Sequence, residues 1–196
     1  MAARSSKVKA KKRLVVIGNG MAPGRALEKL LEASPDTFDV TIFNAEPRVN
    51  YDRIMLSPLL SGEKSFEQIV IHGDGWYVKH GVTLYKGCTV TDIDRAKKTV
   101  TSATGITASY DQLIIATGSQ PIIIPIPGAN LAGVLSYRDL DDVEAMMVAA
   151  RARGRAVVIG GGLLGLEAAA GLKEQGMDVT VLHLMPTLME IGRAHV

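Results

Sequence analysis

The chain has 196 residues, enough for one large domain or two small ones and for a substantial buried core. Hydrophobic residues make up 47% and aromatics only 5%, which excludes a disordered chain and suits an α/β protein rich in Val, Ile, Ala and Gly. The net charge of +2 is concentrated at the start: Arg4, Lys7, Lys9, Lys11, Lys12 and Arg13 stand without an acid, and setting these six aside turns the balance from +2 to −4.

Residues 1–12 therefore read as a basic, solvated, flexible leader rather than a nucleic-acid or membrane arm. The first apolar run, 14–17, is too short for a secretory signal and ends in glycine. No run approaches the ~18–20 apolar residues that span a bilayer. Cys88 is the only cysteine, so neither a disulfide framework nor a CxxC pair exists within the chain. These features point to a reducing cytoplasm, with neither membrane nor nucleic acid as a partner.

Along the chain, residues 14–25 read LVVIGNGMAPGR. Four apolar residues run into Gly18 and Gly20, the spacing of a phosphate-cradling loop after a strand. The third glycine of that pattern belongs at position 23, where Pro23 stands, followed by Gly24. A helix is expected over 22–33, with Leu27, Leu30 and Leu31 on one face. Proline is tolerated in a first helical turn, but it pushes Ala22 away from helical ψ. The helix is thus expected to enter a residue or two late, with Gly24 recovering part of the close packing. A second strand, DVTIFN, covers 39–44.

Short strands at 82–84, 89–93, 99–101 and 106–109, with turns between them, predict a small antiparallel meander. His72 and His80 lie in polar, loop-like stretches and read as surface residues, with 72–75 in a loop. No spacing suggests a metal site. YDQLIIATGS (110–119) is an apolar strand ending in Ala-Thr-Gly. QPIIIPIPG (120–128) is too proline-rich for a helix and reads as a domain link. A helix over 139–153 places Asp139, Asp141 and Asp142 near its start and Arg151 and Arg153 near its end, complementing the dipole. RAVVIGGG (155–162), a helix over 163–175 stopped by Gly176, and DVTVLH (178–183) then repeat the opening pattern.

The repeat is the informative feature. One GxGxxG is weak; two copies, each between a strand and a helix and each followed by a strand, are far stronger. The first glycine allows the tight turn, and the second lets the backbone approach a pyrophosphate at the helix N-terminus. The first strand of each copy is continuously apolar, as in a parallel strand covered on both faces. The fold class is α/β: a Rossmann-like unit with a β-meander, then the beginning of a second Rossmann-like unit.

VVIGNGM, AEPRVNYDRIMLS (45–57), YDQLIIATGS and GGGLLGLEAA occur in this order, and 13–190 resembles the flavoprotein pyridine nucleotide-disulfide oxidoreductase-like superfamily. GNGMAPGR, NYDRIMLS and HLMPTLME resemble, more closely, the N-terminal flavin region of the large subunits of assimilatory NAD(P)H nitrite reductases. The resemblance implies an FAD-binding domain over 13–120 and the start of an NAD(P)-binding domain over 121–190. It implies an FAD-dependent NAD(P)H oxidoreductase whose electrons leave the flavin toward an iron–sulfur cluster and siroheme in a C-terminal part, where nitrite becomes ammonium. Partners would be the rest of that chain, a small subunit and a second copy in a homodimer.

Gly18, Asn19, Gly20 and Met21 are then assigned to FAD, with Glu46 on its adenosine ribose and Arg53 on phosphate or beside the flavin. Thr117 and Gly118 pass close to FAD. Gly160, Gly162, Leu163, Leu164 and Gly165 hold the NAD(P)H pyrophosphate, and Glu167 faces the nicotinamide side. No side chain is assigned to catalysis. His183 stands where an acid would select NADH, and no arginine cluster follows, which leaves NADH against NADPH open.

With one cysteine, the disulfide-reductase branch is excluded for the residues present. A ferredoxin or rubredoxin reductase-like flavoprotein remains the enzyme alternative, and a nucleotide sensor the non-enzymatic one. The family finishes its FAD domain late, with a Gly-Asp strand that has no suitable counterpart here. Residues 191–196, IGRAHV, abandon the pattern; with Glu190 they can be encoded by a string containing the start of a common sequencing adapter. The expectation is a non-native tail on a fragment, which would bind FAD weakly, leave nitrite unreduced and expose apolar surface.

Overall fold

The computed structural model describes residues 10–189. Residues 1–9 of the expected leader over 1–12, and the expected tail over 191–196, lie outside the described residues. In chain order the elements are β1 (Lys12–Ile17), α1 (Met21–Ala33), β2 (Phe38–Phe43), β3 (Asn50–Tyr51), a 3-10 turn (Arg53–Met55), α2 (Leu56–Ser61) and α3 (Phe66–Ile69). There follow β4 (Val70–His72), α4 (Asp74–Lys79), β5 (Thr83–Tyr85), β6 (Val90–Asp94), β7 (Thr99–Ser102), β8 (Thr107–Ser109) and β9 (Gln112–Ile115). The last four are α5 (Leu140–Ala150), β10 (Arg155–Ile159), α6 (Leu163–Glu174) and β11 (Asp178–Leu182).

The chain divides into two compact units. One runs to Tyr51 and resumes over Val70–Gly118; the other comprises Asp52–Ile69 and continues from Ser119. The segment 52–69, expected within the first domain, therefore packs in the second unit. Local sequence carries no sign of this, because the interruption is made by contacts to residues some 80–115 positions later.

The first unit is built on a parallel sheet in the order β5-β2-β1-β9. Its central strand explains its own sequence. Leu14 and Val16 face one way, into a core with Leu27 and Leu31 of α1, Val40, Ile42, Tyr77 and Val82. Val15 and Ile17 face the other way, among Phe43, Cys88, Val100 and Tyr110. A strand buried on both faces has no polar alternation to show. Each large side chain so buried contributes about 1.5–3 kcal/mol.

Three sequence expectations need correction. The strand near 82–84 is not part of the meander: β5 pairs in parallel with β2, Thr41 opposite Thr83, and the meander has three strands, β6-β7-β8. Lys12, counted with the leader, is the first residue of β1. His72 is not a surface residue. It ends β4, pairs with Asn50, is only 4% exposed and stacks on Trp76 with ring centroids 4.1 Å apart. Its Nε2 lies 2.7 Å from Oε1 of Glu28 on α1, and Gly73 then caps α4, so 73–75 is a helix entry rather than a loop. The polar look of VIHGDG hid a strand too short for a periodicity. His80 is exposed.

In the second unit α2 packs on α5 and α6. Gly171 permits the close approach, since a Cβ there would come within 2.8 Å of Leu60. The side chain of Asp139 accepts from the Asp142 N–H and that of Asp142 from the Asp139 N–H, a complete capping box on α5. The strands β10 and β11 pair in parallel, with Val157, Ile159 and Leu182 each more than half exposed on one face. Residues 120–126 have no regular structure, and Ile122 is 92% exposed.

Candidate functional site

The two glycine loops are built alike. Gly18 N–H donates to the Phe43 carbonyl at 2.8 Å, and Gly160 N–H to the Leu182 carbonyl at 2.9 Å, so each loop is tied to the end of the strand beside it. Both glycines lie at positive φ, +104° and +122°. Gly20 and Gly162 are the extended residues preceding α1 and α6, and nothing lies within 4 Å of a Cβ built on either. Open space over a helix N-terminus, lined by backbone amides, is what a pyrophosphate requires. The residues present therefore fit a dinucleotide at each loop.

Contrary to the expected late entry, α1 starts one residue after Gly20, just as α6 starts one residue after Gly162. The first intrahelical bonds match, Gly24 N–H to Gly20 O at 3.1 Å and Leu166 N–H to Gly162 O at 3.0 Å. Pro23 sits where no intrahelical acceptor exists, so its missing N–H costs the helix nothing. The third glycine's packing is handled differently in each copy. A Cβ on Gly165 would lie 2.0 Å from the Gly160 carbonyl oxygen. In the first copy Gly24 takes that function: a Cβ on it would lie 3.1–3.2 Å from the Asn50 side chain.

Beneath the first loop lies a polar network that the sequence did not disclose. Asn19 is buried and exchanges hydrogen bonds with the Tyr77 hydroxyl, Nδ2 to Oη at 3.0 Å and Oη to Oδ1 at 3.2 Å. Asn50 Nδ2 donates to the Asn19 carbonyl at 2.8 Å. Burial pushes the Tyr77 hydroxyl up in pKa, holding it neutral as a donor and acceptor. Met21 opens α1 and is half-buried.

Other first-unit candidates fall around the same sheet. Glu46 accepts from the Tyr51 hydroxyl at 2.7 Å, and its own carbonyl is held by Asn44 Nδ2 and Gly87 N–H. Thr117 and Gly118 follow β9, exposed, with Gly118 at φ +76°. Gly18 is locked to this turn, since a Cβ on it would lie 2.2 Å from the Ala116 oxygen. Arg53 lies on another part of the chain. It belongs to the second unit, where its guanidinium donates to the Arg138 carbonyl at 3.2 Å.

In the second unit Ile159, Gly160, Gly162, Leu163, Leu164 and Gly165 line an open hollow of about 400 Å³. Gly161 N–H donates to His183 Nδ1 at 3.0 Å, which places the proton of the neutral ring on Nε2. Glu167 is half-buried and receives a hydrogen bond from Ser57 Oγ at 2.5 Å; Ser57 in turn lies 2.9 Å from the Tyr137 hydroxyl. Ser57 and Tyr137 escaped the sequence reading because each is an ordinary polar residue whose partner stands 80 or more positions away. Among the described residues no group of three His, Cys, Asp or Glu could hold a metal ion, and no helix is long and apolar enough to cross a membrane.

Comparison with known proteins agrees with this geometry. Residues 12–195 match the family model described as pyridine nucleotide-disulphide oxidoreductase. The NAD(P)H nitrite reductase of Bacillus subtilis is 49% identical over 180 residues, covering 92% of this chain but 22% of that protein. The assimilatory nitrate reductase electron transfer subunit of the same organism is 48% identical, over 92% of this chain and 23% of its own. This chain thus spans less than a quarter of the length of these relatives. The crystal structure of NADH:rubredoxin oxidoreductase from Clostridium acetobutylicum superposes with a TM-score of 0.83 at 27% identity, covering 94% of this chain and 48% of that one. Two Rossmann-like βαβ loops of matching geometry, joined to this family match, show that the chain belongs to the pyridine nucleotide-disulphide oxidoreductase family.

Proposed function

We propose that the chain is the NAD(P)H-oxidising, flavin-bearing part of a nitrite reductase-type enzyme. The single observation that carries this is the pair of matched loops, each with open space over a helix N-terminus. Under this reading the domain over 13–120, less the 52–69 segment, is the FAD domain, and the NAD(P) domain begins at 121. Gly18, Asn19, Gly20 and Met21 line the FAD pyrophosphate, Glu46 takes the ribose hydroxyls, and Thr117 and Gly118 pass beside the cofactor. Gly160, Gly162, Leu163, Leu164 and Gly165 hold the NAD(P)H pyrophosphate, with Glu167 on the nicotinamide side. Bound FAD supplies the ability to take two electrons as a hydride and release them singly. Nitrite is reduced at an iron–sulfur and siroheme centre carried by sequence beyond the matched span, in the cytoplasm, with a small subunit and a second copy as partners.

The similarity to the nitrate reductase electron transfer subunit favours a second reading in which the same unit delivers electrons to another acceptor. Fluorescence titration with FAD and calorimetric titration with ADP-ribose test the shared part. Gly20→Val is expected to weaken FAD by more than about tenfold and leave ADP-ribose unchanged, because a side chain fills the space over one helix only. Gly162→Val should do the reverse. Unaltered FAD affinity in Gly20→Val overturns the assignment of the first loop. NAD(P)H oxidation by the full-length protein, with nitrite as acceptor and ferricyanide as the control, then separates the two readings of the electron's destination.

A further inference from the structure

Three hydroxyl and carboxyl groups from distant parts of the second unit meet around Glu167. The carboxylate of Glu167, on the second turn of α6, accepts from Ser57 Oγ at 2.5 Å. Serine has one proton to give, and it is committed to Glu167, so the Tyr137 hydroxyl must donate to Ser57 Oγ across 2.9 Å. The chain of bonds therefore runs one way: Tyr137 to Ser57 to the Glu167 carboxylate. The link to Glu167 is the short one, and a bond that ends on a carboxylate is about twice as strong as a neutral one. Burial pushes the Tyr137 hydroxyl up in pKa, with Glu167 adding to the effect, so the donor keeps its proton.

The three side chains are half-buried, at positions where α2, the segment before α5, and α6 converge. Polar groups at a helix–helix contact contribute less to stability than apolar ones unless they satisfy each other. Here they do, and the result is a carboxylate with its rotamer fixed two residues beyond Gly165. That glycine belongs to the hollow lined by Gly160–Leu164.

We propose that Ser57 and Tyr137 are positioning residues that hold the Glu167 carboxylate as a fixed negative group for the positively charged nicotinamide ring of the oxidised coenzyme. This rests on the assignment of the second loop to NAD(P)H. A carboxylate held by two donors in series cannot swing into solvent. Its attraction for a cationic ring is then available without reorganisation. The neutral ring of the reduced coenzyme gains nothing comparable. The relay thereby favours the oxidised form bound at this loop.

The test uses calorimetric titration of the 196-residue chain with two ligands, NAD+ and ADP-ribose, which share the pyrophosphate half and differ in the charged ring. Ser57→Ala and Glu167→Gln are expected to weaken NAD+ about tenfold, a difference of ~1.4 kcal/mol, while ADP-ribose stays within about twofold. Tyr137→Phe, one bond removed, should weaken NAD+ about threefold. Ser57→Thr, which keeps the hydroxyl, should restore NAD+ affinity. A parallel loss for both ligands, or no loss in a variant whose circular dichroism is unchanged, overturns the proposal and makes the triad structural only. Failure of ADP-ribose to bind the unsubstituted chain removes the second-loop assignment itself, and the proposal with it.

Discussion

Residue by residue, the glycines of the first loop do different work, and substitution should separate them. Gly18 has φ +104° and a built Cβ 2.2 Å from the Ala116 oxygen, so alanine meets both backbone strain and a clash with main chain. Gly20 has φ −78° and no neighbour within 4 Å. Gly18→Ala is expected to lower stability by about 2–4 kcal/mol in chemical denaturation, and Gly20→Ala by less than about 1 kcal/mol. Equal losses would show that the two positions are not distinguished by packing. Both glycines were legible in the sequence, and so was Pro23, because a loop between strand and helix is a local pattern. The burial of Asn19, Asn50, Tyr77 and His72 was not. Their burial comes from pairing between residues up to 58 positions apart, and a buried asparagine or histidine leaves no local mark.

At the level of elements, caps decided more than propensity. The expected helix over 139–153 is shorter in fact, Leu140–Ala150, because Asp139 and Asp142 close a capping box and Arg153 turns to φ +47°. Asp139→Ala removes the bond to the Asp142 N–H but keeps the backbone N–H to which Asp142 reaches back. A loss of about 1 kcal/mol is expected in the urea midpoint of the second unit, with the slope unchanged. An unmoved midpoint would mean that α5 is held by packing alone. The two βαβ repeats were readable because they are periodic. The interruption of the first unit by 52–69 was not, since α2 is only six residues long and finds its partners in α5 and α6.

Across the whole first unit, one exposed ion pair ties the first and last strands of the sheet. Asp111 accepts from the Arg13 guanidinium at 2.8 Å and from the Arg13 amide at 2.7 Å, at the start of β9 and of β1. The Arg13 side chain first, and then its N–H, hold the Asp111 carboxyl down at about 2, against an ordinary value of 3.8. A carboxyl lowered in the folded state adds stability above its unfolded value and loses it as pH falls through the folded one. The contribution is thus complete above about pH 4 and gone below about pH 2. Asp111→Asn should be less stable than the unsubstituted chain at pH 6, and the difference in Tm should close across that window. A constant difference from pH 6 to pH 2 would assign the effect to the amide geometry rather than to charge. The α/β class and the parallel sheet were evident from continuous apolar runs; the strand that completes the sheet edge, β5, looked like a meander strand because three residues carry too little pattern to tell the two apart.

The asymmetry between the two glycine loops has a consequence for modularity. Gly165 closes its helix against its own loop carbonyl, whereas the first copy, with Pro23 in that place, leans Gly24 on Asn50 of β3. The third-glycine contact of the second copy is therefore made within its own loop, and that of the first depends on a strand supplied from elsewhere in its unit. A graft of the second loop and helix entry into the first site would arrive with its closure intact but would leave Asn50 without the surface it packs on. A graft of the first into the second would arrive incomplete. Although they share an outline, the two copies are not interchangeable parts.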